Sequence, residues 1–200
     1  MRNPDLAIYL AHAAFYSVFG VRAFGRTQSH LASSGSETRH GASKEDTASF
    51  SRALIVFHGL GFAVLYAGIG SAVIPHRVPH WFTGQRIVGS VVIAIAASLV
   101  AWALVSFSSW RVRAKIEPGH QLETRGPFRL VRHPIYTGCD LLALGTALWI
   151  PTPVLWIGVL LIAIGGDLRA RAEESLLEKT FGRIYHEYCS RTRRFLPGIY

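Results

Sequence analysis

The sequence predicts an all-α, polytopic membrane protein with about five transmembrane helices, the last two forming a short hairpin, and a C-terminal amphipathic cytoplasmic helix. Half of its residues are hydrophobic and only 16% are charged, a balance typical of membrane proteins rather than soluble ones. The charges are also unevenly distributed, because long apolar stretches alternate with short basic ones. A chain that passes repeatedly between bilayer and water has this pattern.

Three apolar segments in the first half predict membrane spans. Leu6–Phe24 is the weakest of them, because His12 and Arg22 interrupt it. Ala53–Ile74 and Ile87–Phe107 each supply about the twenty apolar residues that a helix needs to cross the hydrocarbon core. Between the first two spans, residues 26–52 are rich in Ser, Thr, Gly and His without apolar periodicity, which predicts a linker.

A fourth apolar region, Gly138–Gly166, is too long for one ordinary crossing and is interrupted by Pro151 and Pro153. Proline ends a helix because it lacks an N–H and restricts the preceding residue. We expect two helices of roughly thirteen residues, each about 20 Å long and shorter than the bilayer core. An amphipathic helix is expected to follow and to end before Pro197. Its apolar positions are Leu168, Ala172, Leu176, Leu177, Phe181, Ile184, Tyr185 and Tyr188.

The basic residues predict the orientation of the chain and exclude one class of partner. The net charge is +9, but lysine and arginine flank the apolar segments instead of forming a soluble basic face. We therefore expect the lipid bilayer as a partner and no nucleic acid. Lys and Arg are concentrated in Ser108–Thr137 and after Gly166, while the loop from Pro75 to Arg86 has two. The positive-inside rule places the two basic regions in the cytoplasm, and the N-terminus outside if the first segment spans.

Cysteine and histidine spacing gives no sign of a metal site. Cys139 and Cys189 are too few and too far apart for a ligand set or a disulfide framework. His30 and His40 have no partner cluster in the sequence. We expect no bound metal.

Two polar segments on either side of the hairpin should return to the same membrane face and converge on one site. The first ends at Gly138 and the second begins at Arg169. Together they offer aromatic faces, two histidines, a carboxylate pair and a basic anchor at a membrane–water boundary. A sulfonium cofactor would use these groups, because aromatic faces attract a cation by about 0.5–2 kcal/mol.

Four sequence motifs in these segments indicate a particular protein family. His-x-Leu-x-Thr-x-Gly-x-aromatic begins at His120 and Arg-His-Pro-x-Tyr-x-Gly at Arg132, with Glu-Glu-x-x-Leu and Phe-Gly-x-x-Tyr-x-x-Tyr following. Over His120 to Pro197 the chain resembles the isoprenylcysteine carboxyl methyltransferase family. The resemblance implies that residues 108–200 form the catalytic, cofactor-binding part, including the hairpin 138–166, and that residues 1–107 hold the N-terminal spans.

The resemblance also implies roles for single residues. S-Adenosyl-L-methionine would be the cofactor, and the acceptor would be a lipidic or small molecule reached at the cytoplasmic face. Arg169 and Glu174 would be the catalytic pair, with Arg169 holding the substrate carboxylate. The cofactor contacts would be His120, Leu122, Phe128, His133, Pro134, Tyr136 and Glu174. Phe128 stands where the family often has tyrosine, so a hydroxyl contact is not expected there.

Other interpretations remain open at this point. An amine or thiol acceptor would need a base, for which His120, His133 or Glu174 are candidates. Arg169 and Glu173 are four residues apart and could form an exposed ion pair, whereas Arg169 and Glu174 lie about 140° apart around a helix and should both be free for ligands. An NADPH-dependent sterol-type membrane reductase and a non-catalytic membrane scaffold are the alternative functions. His58, within a span, could be a functional group, but we expect it to hydrogen-bond a neighbouring helix. Gly59, Gly61 and Gly68 are expected to allow close helix packing.

Overall fold

A computed structural model describes residues 4–31, 44–106 and 122–200. Every regular element in these ranges is helical, which confirms the all-α prediction. The α-helices are α1 (Ala7–Leu31), α2 (Lys44–Val73), α3 (Gln85–Ser106), α4 (Pro134–Trp149), α5 (Pro153–Phe181) and α6 (Arg183–Arg191). Short 3₁₀ helices at Pro4–Leu6 and Gly126–Arg129 precede α1 and α4.

Three of the described helices are long and apolar enough to cross a membrane. They cover Phe50–Val73, Gln85–Ser106 and Pro153–Phe181. The first two correspond to the strong spans predicted from hydropathy. The shorter apolar stretch Ala7–Phe19 in α1 and the 16 residues of α4 fall below this length, so a total of about five spans stays a prediction.

The proline break is where the sequence predicts it, but the hairpin helices are longer than expected. Trp149 ends α4 and Pro153 begins α5, with Thr152 as N-cap accepting a hydrogen bond from the Leu155 amide. The prediction of two thirteen-residue helices is wrong, because α5 has 29 residues. No glycine or proline follows Gly166 until Gly182, so strong helix formers continue the helix through its charged second half.

The chain after Gly166 is therefore divided differently from the prediction of one amphipathic helix. The helix breaks at Gly182, which has a φ of 50°, and a separate α6 follows and buries Tyr185. Helix α6 ends at Arg191, several residues before Pro197. A cytoplasmic location for this region stays a prediction.

Helices also extend into the predicted linker 26–52. Helix α1 ends at Leu31 and α2 begins at Lys44, so this linker was predicted too long. Residues 32–43, with His40, lie outside the described residues, as does the side chain of His30.

Small residues let α2 and α5 approach closely. A Cβ at Gly61 would lie 2.8 Å from the Ile162 side chain, and one at Gly68 would lie 3.0 Å from Leu155. Both glycines therefore have the packing role predicted for them. Gly59 does not, because nothing lies within 4 Å of the position its Cβ would take. It is two residues from Gly61 and hence on another face of the helix.

The second close pair is α3 with α4. A Cβ at Gly145 would lie 2.9 Å from the Gly89 carbonyl oxygen and 3.0 Å from the Ile93 amide nitrogen. Helix α1 is joined to both pairs by a buried histidine. The ring nitrogens of His12 contact Tyr66 Oη at 2.9 Å and Thr146 Oγ1 at 2.8 Å.

The end of the bundle opposite the polar segments is closed by its own ion pair. Arg86 donates two hydrogen bonds to Asp5, at 2.6 and 2.8 Å, and the Trp149 indole donates to the same carboxylate at 3.0 Å. This fixes the start of α1 to α3 and α4. The 3₁₀ helix Gly126–Arg129 lies at the other end, next to Ser106 in the last turn of α3.

We predict that Gly145→Ala lowers the stability of the protein and that Gly59→Ala does not. The new methyl group at Gly145 meets backbone atoms, so the two helices must separate, at a cost of about 1–3 kcal/mol. Alanine at Gly59 enters open space and favours the helix by up to about 1 kcal/mol. Thermal unfolding midpoints of the two variants in the same detergent measure the difference. Equal midpoints would contradict the packing described here.

Candidate active site

The chain before α4 is positioned by a tight turn against α3. Gly126 has a φ of 58°, a left-handed conformation that favours glycine. A side chain there would also collide with Ser106 near the end of α3. Both constraints allow the 3₁₀ helix Gly126–Arg129 to lie directly on α3, where Phe128 is buried.

The segment that follows, residues 130–133, pairs with the C-terminal tail, residues 192–200. Val131 and Arg193 form a parallel bridge, with the Arg132 amide donating to the Arg193 carbonyl at 2.8 Å and the His133 amide to the Arg194 carbonyl at 3.1 Å. The tail thus runs alongside the residues that lead into α4. Pro134 then occupies the first turn of α4, where its missing N–H costs nothing.

Glu174 on α5 joins these two segments. Arg132 donates to Oε1 at 2.9 Å, and Arg194 donates to Oε1 at 3.1 Å and to Oε2 at 2.6 Å. His133 Nε2 lies 3.2 Å from Oε1. The Arg132, Arg194 and Glu174 side chains are only 13–16% exposed. The hydrogen bond to Glu174 raises the pKa of Arg194, as expected for a partly desolvated ion pair.

This cluster corrects one prediction. Glu174 is not left free for ligands, since two arginines reach it from the segment before α4 and from the tail. These partners lie outside α5, so helical spacing within α5 does not reveal them. The alternative pairing is not observed either, because no ion pair joins Arg169 to Glu173 in the described residues.

Glu173 and Arg169 instead contact the aromatic residues at the start of α4. The Tyr136 hydroxyl donates a short hydrogen bond to Glu173, and His133 Nδ1 lies 3.6 Å from the same carboxylate. The His133 and Tyr136 rings stack with centroids 5.7 Å apart. The Arg169 guanidinium lies 5.1 Å from the centroid of the Tyr136 ring. The start of α4 and the second half of α5 therefore meet in one group of contacts.

A third acidic residue of α5, Asp167, holds the end of the tail. Asp167 accepts hydrogen bonds from Arg171 at 2.6 Å, from Arg194 at 3.1 Å and from the Tyr200 hydroxyl at 2.9 Å. The Arg194 guanidinium also lies 5.3 Å from the centroid of the Tyr200 ring. Arg194 consequently bridges Asp167 and Glu174, two turns apart on α5.

The residues predicted as cofactor contacts fall into two groups. One group lies where the start of α4 meets the second half of α5, a place that we call the junction. It brings His133, Pro134, Tyr136 and Glu174 together with Arg169. Phe128 is tied to α6, because the Tyr188 hydroxyl donates to its carbonyl at 2.7 Å, and Leu122 is half-buried at the start of the same segment. His120 lies outside the described residues.

Several residues at this junction were missed from the sequence. Arg132 and Arg194 belong to the two polar segments expected to converge, but no role was predicted for them. Asp167 and Tyr200 were not assigned to the site at all. Asp140, one turn after Tyr136 on α4, has a buried Oδ1 without a hydrogen-bond partner in the described residues. Across the same ranges, no group of three or more His, Cys, Asp or Glu side chains has the geometry to hold a metal ion.

The junction has the chemical groups that a positively charged, aromatic small molecule requires. His133 is nearly buried, and the Glu173 side chain remains 29% exposed. Glu173 accepts one hydrogen bond from Tyr136, and a carboxylate can accept about four. Arg169 adds a guanidinium suited to an anionic oxygen. The arrangement can hold a cation and an anion next to each other.

We predict that Glu174→Gln loosens the tail. The amide cannot neutralise Arg132 and Arg194, and removing one partner of a buried ion pair costs about 3–5 kcal/mol. Hydrogen exchange at the Arg132 and His133 amides, which donate to the tail, should accelerate at least about tenfold, equivalent to about 1.4 kcal/mol.

Glu178→Gln on the same helix is the matched control, since Glu178 pairs with His186 at the exposed surface. It should leave both amides protected. Unchanged protection in Glu174→Gln would show that the ion cluster does not hold the tail.

The family model and the similar proteins found by comparison are all described as methyltransferases. The model of the family described as phospholipid methyltransferase matches residues 85–184. Proteins named probable protein-S-isoprenylcysteine O-methyltransferase, from the indica and japonica subspecies of Oryza sativa, are 30% identical over 144 residues, covering 70% of this chain and 74% of theirs. Protein-S-isoprenylcysteine O-methyltransferase B of Arabidopsis thaliana is 27% identical over 129 residues, covering 62% of this chain and 64% of its own.

Proposed function

This chain belongs to the phospholipid methyltransferase family, and from that premise we propose that it transfers a methyl group from S-adenosylmethionine to a lipidic carboxylate. Membership confirms the resemblance to isoprenylcysteine carboxyl methyltransferases and makes the chain a membrane methyltransferase. The observation that carries the proposal is the meeting of His133 and Tyr136 with Arg169 and Glu173. It joins groups suited to a sulfonium with a group suited to a carboxylate.

The donor set at this junction fits S-adenosylmethionine. His133, Tyr136 and Glu173 would hold it, with the aromatic rings against its cationic part and the free lone pairs of Glu173 for its hydroxyl groups or its charge. Glu174 would act by positioning, because Arg132, Arg194 and His133 already contact its carboxylate. When bound, the cofactor supplies an electrophilic methyl group.

Methyl transfer to a carboxylate requires few catalytic groups from the protein. A carboxylate is already ionised at neutral pH, so the acceptor would need no base. The methyl group supplied by S-adenosylmethionine would pass from sulfur to the carboxylate oxygen, with a methyl ester and S-adenosylhomocysteine as the products. Arg169 would orient the carboxylate in line with the methyl group, and the burial of the junction would exclude water. The names of the rice and Arabidopsis relatives favour an S-isoprenylated cysteine as the acceptor.

The membrane location supports the same proposal. Three candidate spans make this an integral membrane protein. We place the active site at the cytoplasmic face, because the basic residues of the tail and of the segment before α4 lie at that end of the bundle. A lipidic acceptor would reach Arg169 from the bilayer along α5, whose first half is apolar.

We predict that Arg169→Lys raises KM for a carboxylate acceptor about tenfold or more, while binding of S-adenosylhomocysteine is unchanged. A lysine ammonium loses the planar two-donor geometry that matches a carboxylate. The assay is methyl transfer to a synthetic S-farnesylcysteine with a free carboxylate, at varied acceptor concentration. Arg183→Lys, an exposed arginine on α6, is the matched control, and an equal effect of both changes would remove Arg169 from the acceptor site.

The activity itself is tested with a labelled methyl donor. Purified protein in detergent, given methyl-labelled S-adenosylmethionine and the S-farnesylcysteine probe, should form a product whose label is released by base, as an ester requires. Binding of NADPH without binding of S-adenosylmethionine would support a reductase. Binding of neither, with a folded protein, would support a non-catalytic scaffold.

A further inference from the structure

His58 on α2 is a buried histidine with one ring nitrogen that has no partner. It is 4% exposed, and its Nε2 has no hydrogen-bond partner in the described residues. An unpaired buried donor or acceptor costs about 1–3 kcal/mol, so this arrangement needs a reason. The residue lies outside both the family match at 85–184 and the motifs of the last third.

The other buried histidines of the described residues are different. His12 contacts Tyr66 and Thr146 through its two nitrogens, and His133 contacts Glu174 and Glu173 through its two. Both therefore have partners within the protein. His58 differs from them in having one buried ring nitrogen without a partner in the same ranges.

The contact to Arg169 determines whether Nε2 is a hydrogen-bond donor or an acceptor. His58 Nδ1 lies 3.4 Å from Arg169 Nη1. A guanidinium has donors and no acceptor, so Nδ1 must accept this hydrogen bond. A neutral imidazole that accepts at Nδ1 has its proton on Nε2. The unpaired nitrogen is therefore an N–H donor, located in the same ring that contacts Arg169.

The position of the ring is fixed by its neighbours. Its centroid lies 5.4 Å from that of Phe62 and 5.9 Å from that of Tyr136. A side chain at Gly165 on α5 would come within 3.2 Å of His58 Cδ2, so α5 packs directly against the ring. His58 on α2 thus lies directly beside Tyr136 and Arg169.

We propose that His58 Nε2–H donates a hydrogen bond to the anionic oxygen of the methyl acceptor, beside Arg169. The proposal rests on the proposed function, since it assumes a carboxylate acceptor. A neutral donor next to a guanidinium fits an oxygen anion, and the charge of the guanidinium repels an ammonium group. The acceptor site then includes a residue of α2, and a lipidic substrate brings its carboxylate to a donor inside an apolar span.

Two substitutions separate this role from a merely positional one. In His58→Gln the side-chain amide can place an N–H near the Nε2 position, and in His58→Asn the amide oxygen can accept from Arg169 near the Nδ1 position. The first keeps the proposed donor and the second keeps the contact to Arg169. Both variants replace the same buried ring by an amide.

The measurement is equilibrium binding of the S-farnesylcysteine carboxylate to purified protein in detergent micelles, without a methyl donor. We expect His58→Asn to weaken binding about tenfold, as for one hydrogen bond to a charged group, and His58→Gln to weaken it much less. The methyl ester of the same probe lacks the anion, so both variants should bind it like the unsubstituted protein. This ester binding also reports that the variants are folded.

The outcomes are distinct. If His58→Gln weakens binding and His58→Asn does not, His58 only positions Arg169 and the proposal is wrong. It is equally wrong if neither variant has an effect or if the unsubstituted protein does not bind the carboxylate. Should the expected pattern appear without methyl transfer in the labelled assay, the proposed function fails while the donor role of His58 stands.

Discussion

The ion cluster on Glu174 is the interaction on which the rest of the site depends. One carboxylate receives Arg132 from the segment before α4 and Arg194 from the tail, while His133 borders it. These groups are distant in sequence and nearly buried, so each would carry a large desolvation cost without the others. The cluster therefore fixes the backbone of His133 and the start of α4. Tyr136, one turn later, takes its position relative to α5 from it.

Helix packing determines which side chains of α2 and α5 meet at the candidate site. Glycines bring α2 against α5 and α3 against α4 with backbone atoms nearly in contact, a mode of association common where lipid removes the hydrophobic driving force between helices. Because α5 is held so close to α2, Arg169 and His58 can touch. The same helix continues past the apolar half to Glu173 and Glu174. A single helix thus carries both an apolar half and the acidic residues of the candidate site.

Hydropathy and proline placement were sufficient to predict the two strong spans and the break at Pro151 and Pro153. The motifs also predicted that the residues around His133 and those after Arg169 face each other. The length of α5 was not predicted, because its charges suggested a boundary although its residues favour helix. The tail partners Arg194 and Tyr200 could not be found by periodicity, since they lie in irregular chain and act over long sequence distances. His58 was expected to bond a neighbouring helix, and does so, but its partner was not identifiable from α2 alone.

The central claim is that one small molecule contacts both the start of α4 and the middle of α5. Hydrogen exchange of the purified protein with and without S-adenosylhomocysteine tests it most directly. The account predicts that amides in 131–137 and in 167–175 become protected together, with the loop 75–84 at the other end of the bundle unchanged. Protection of only one of these two segments, or of the loop instead, would contradict it.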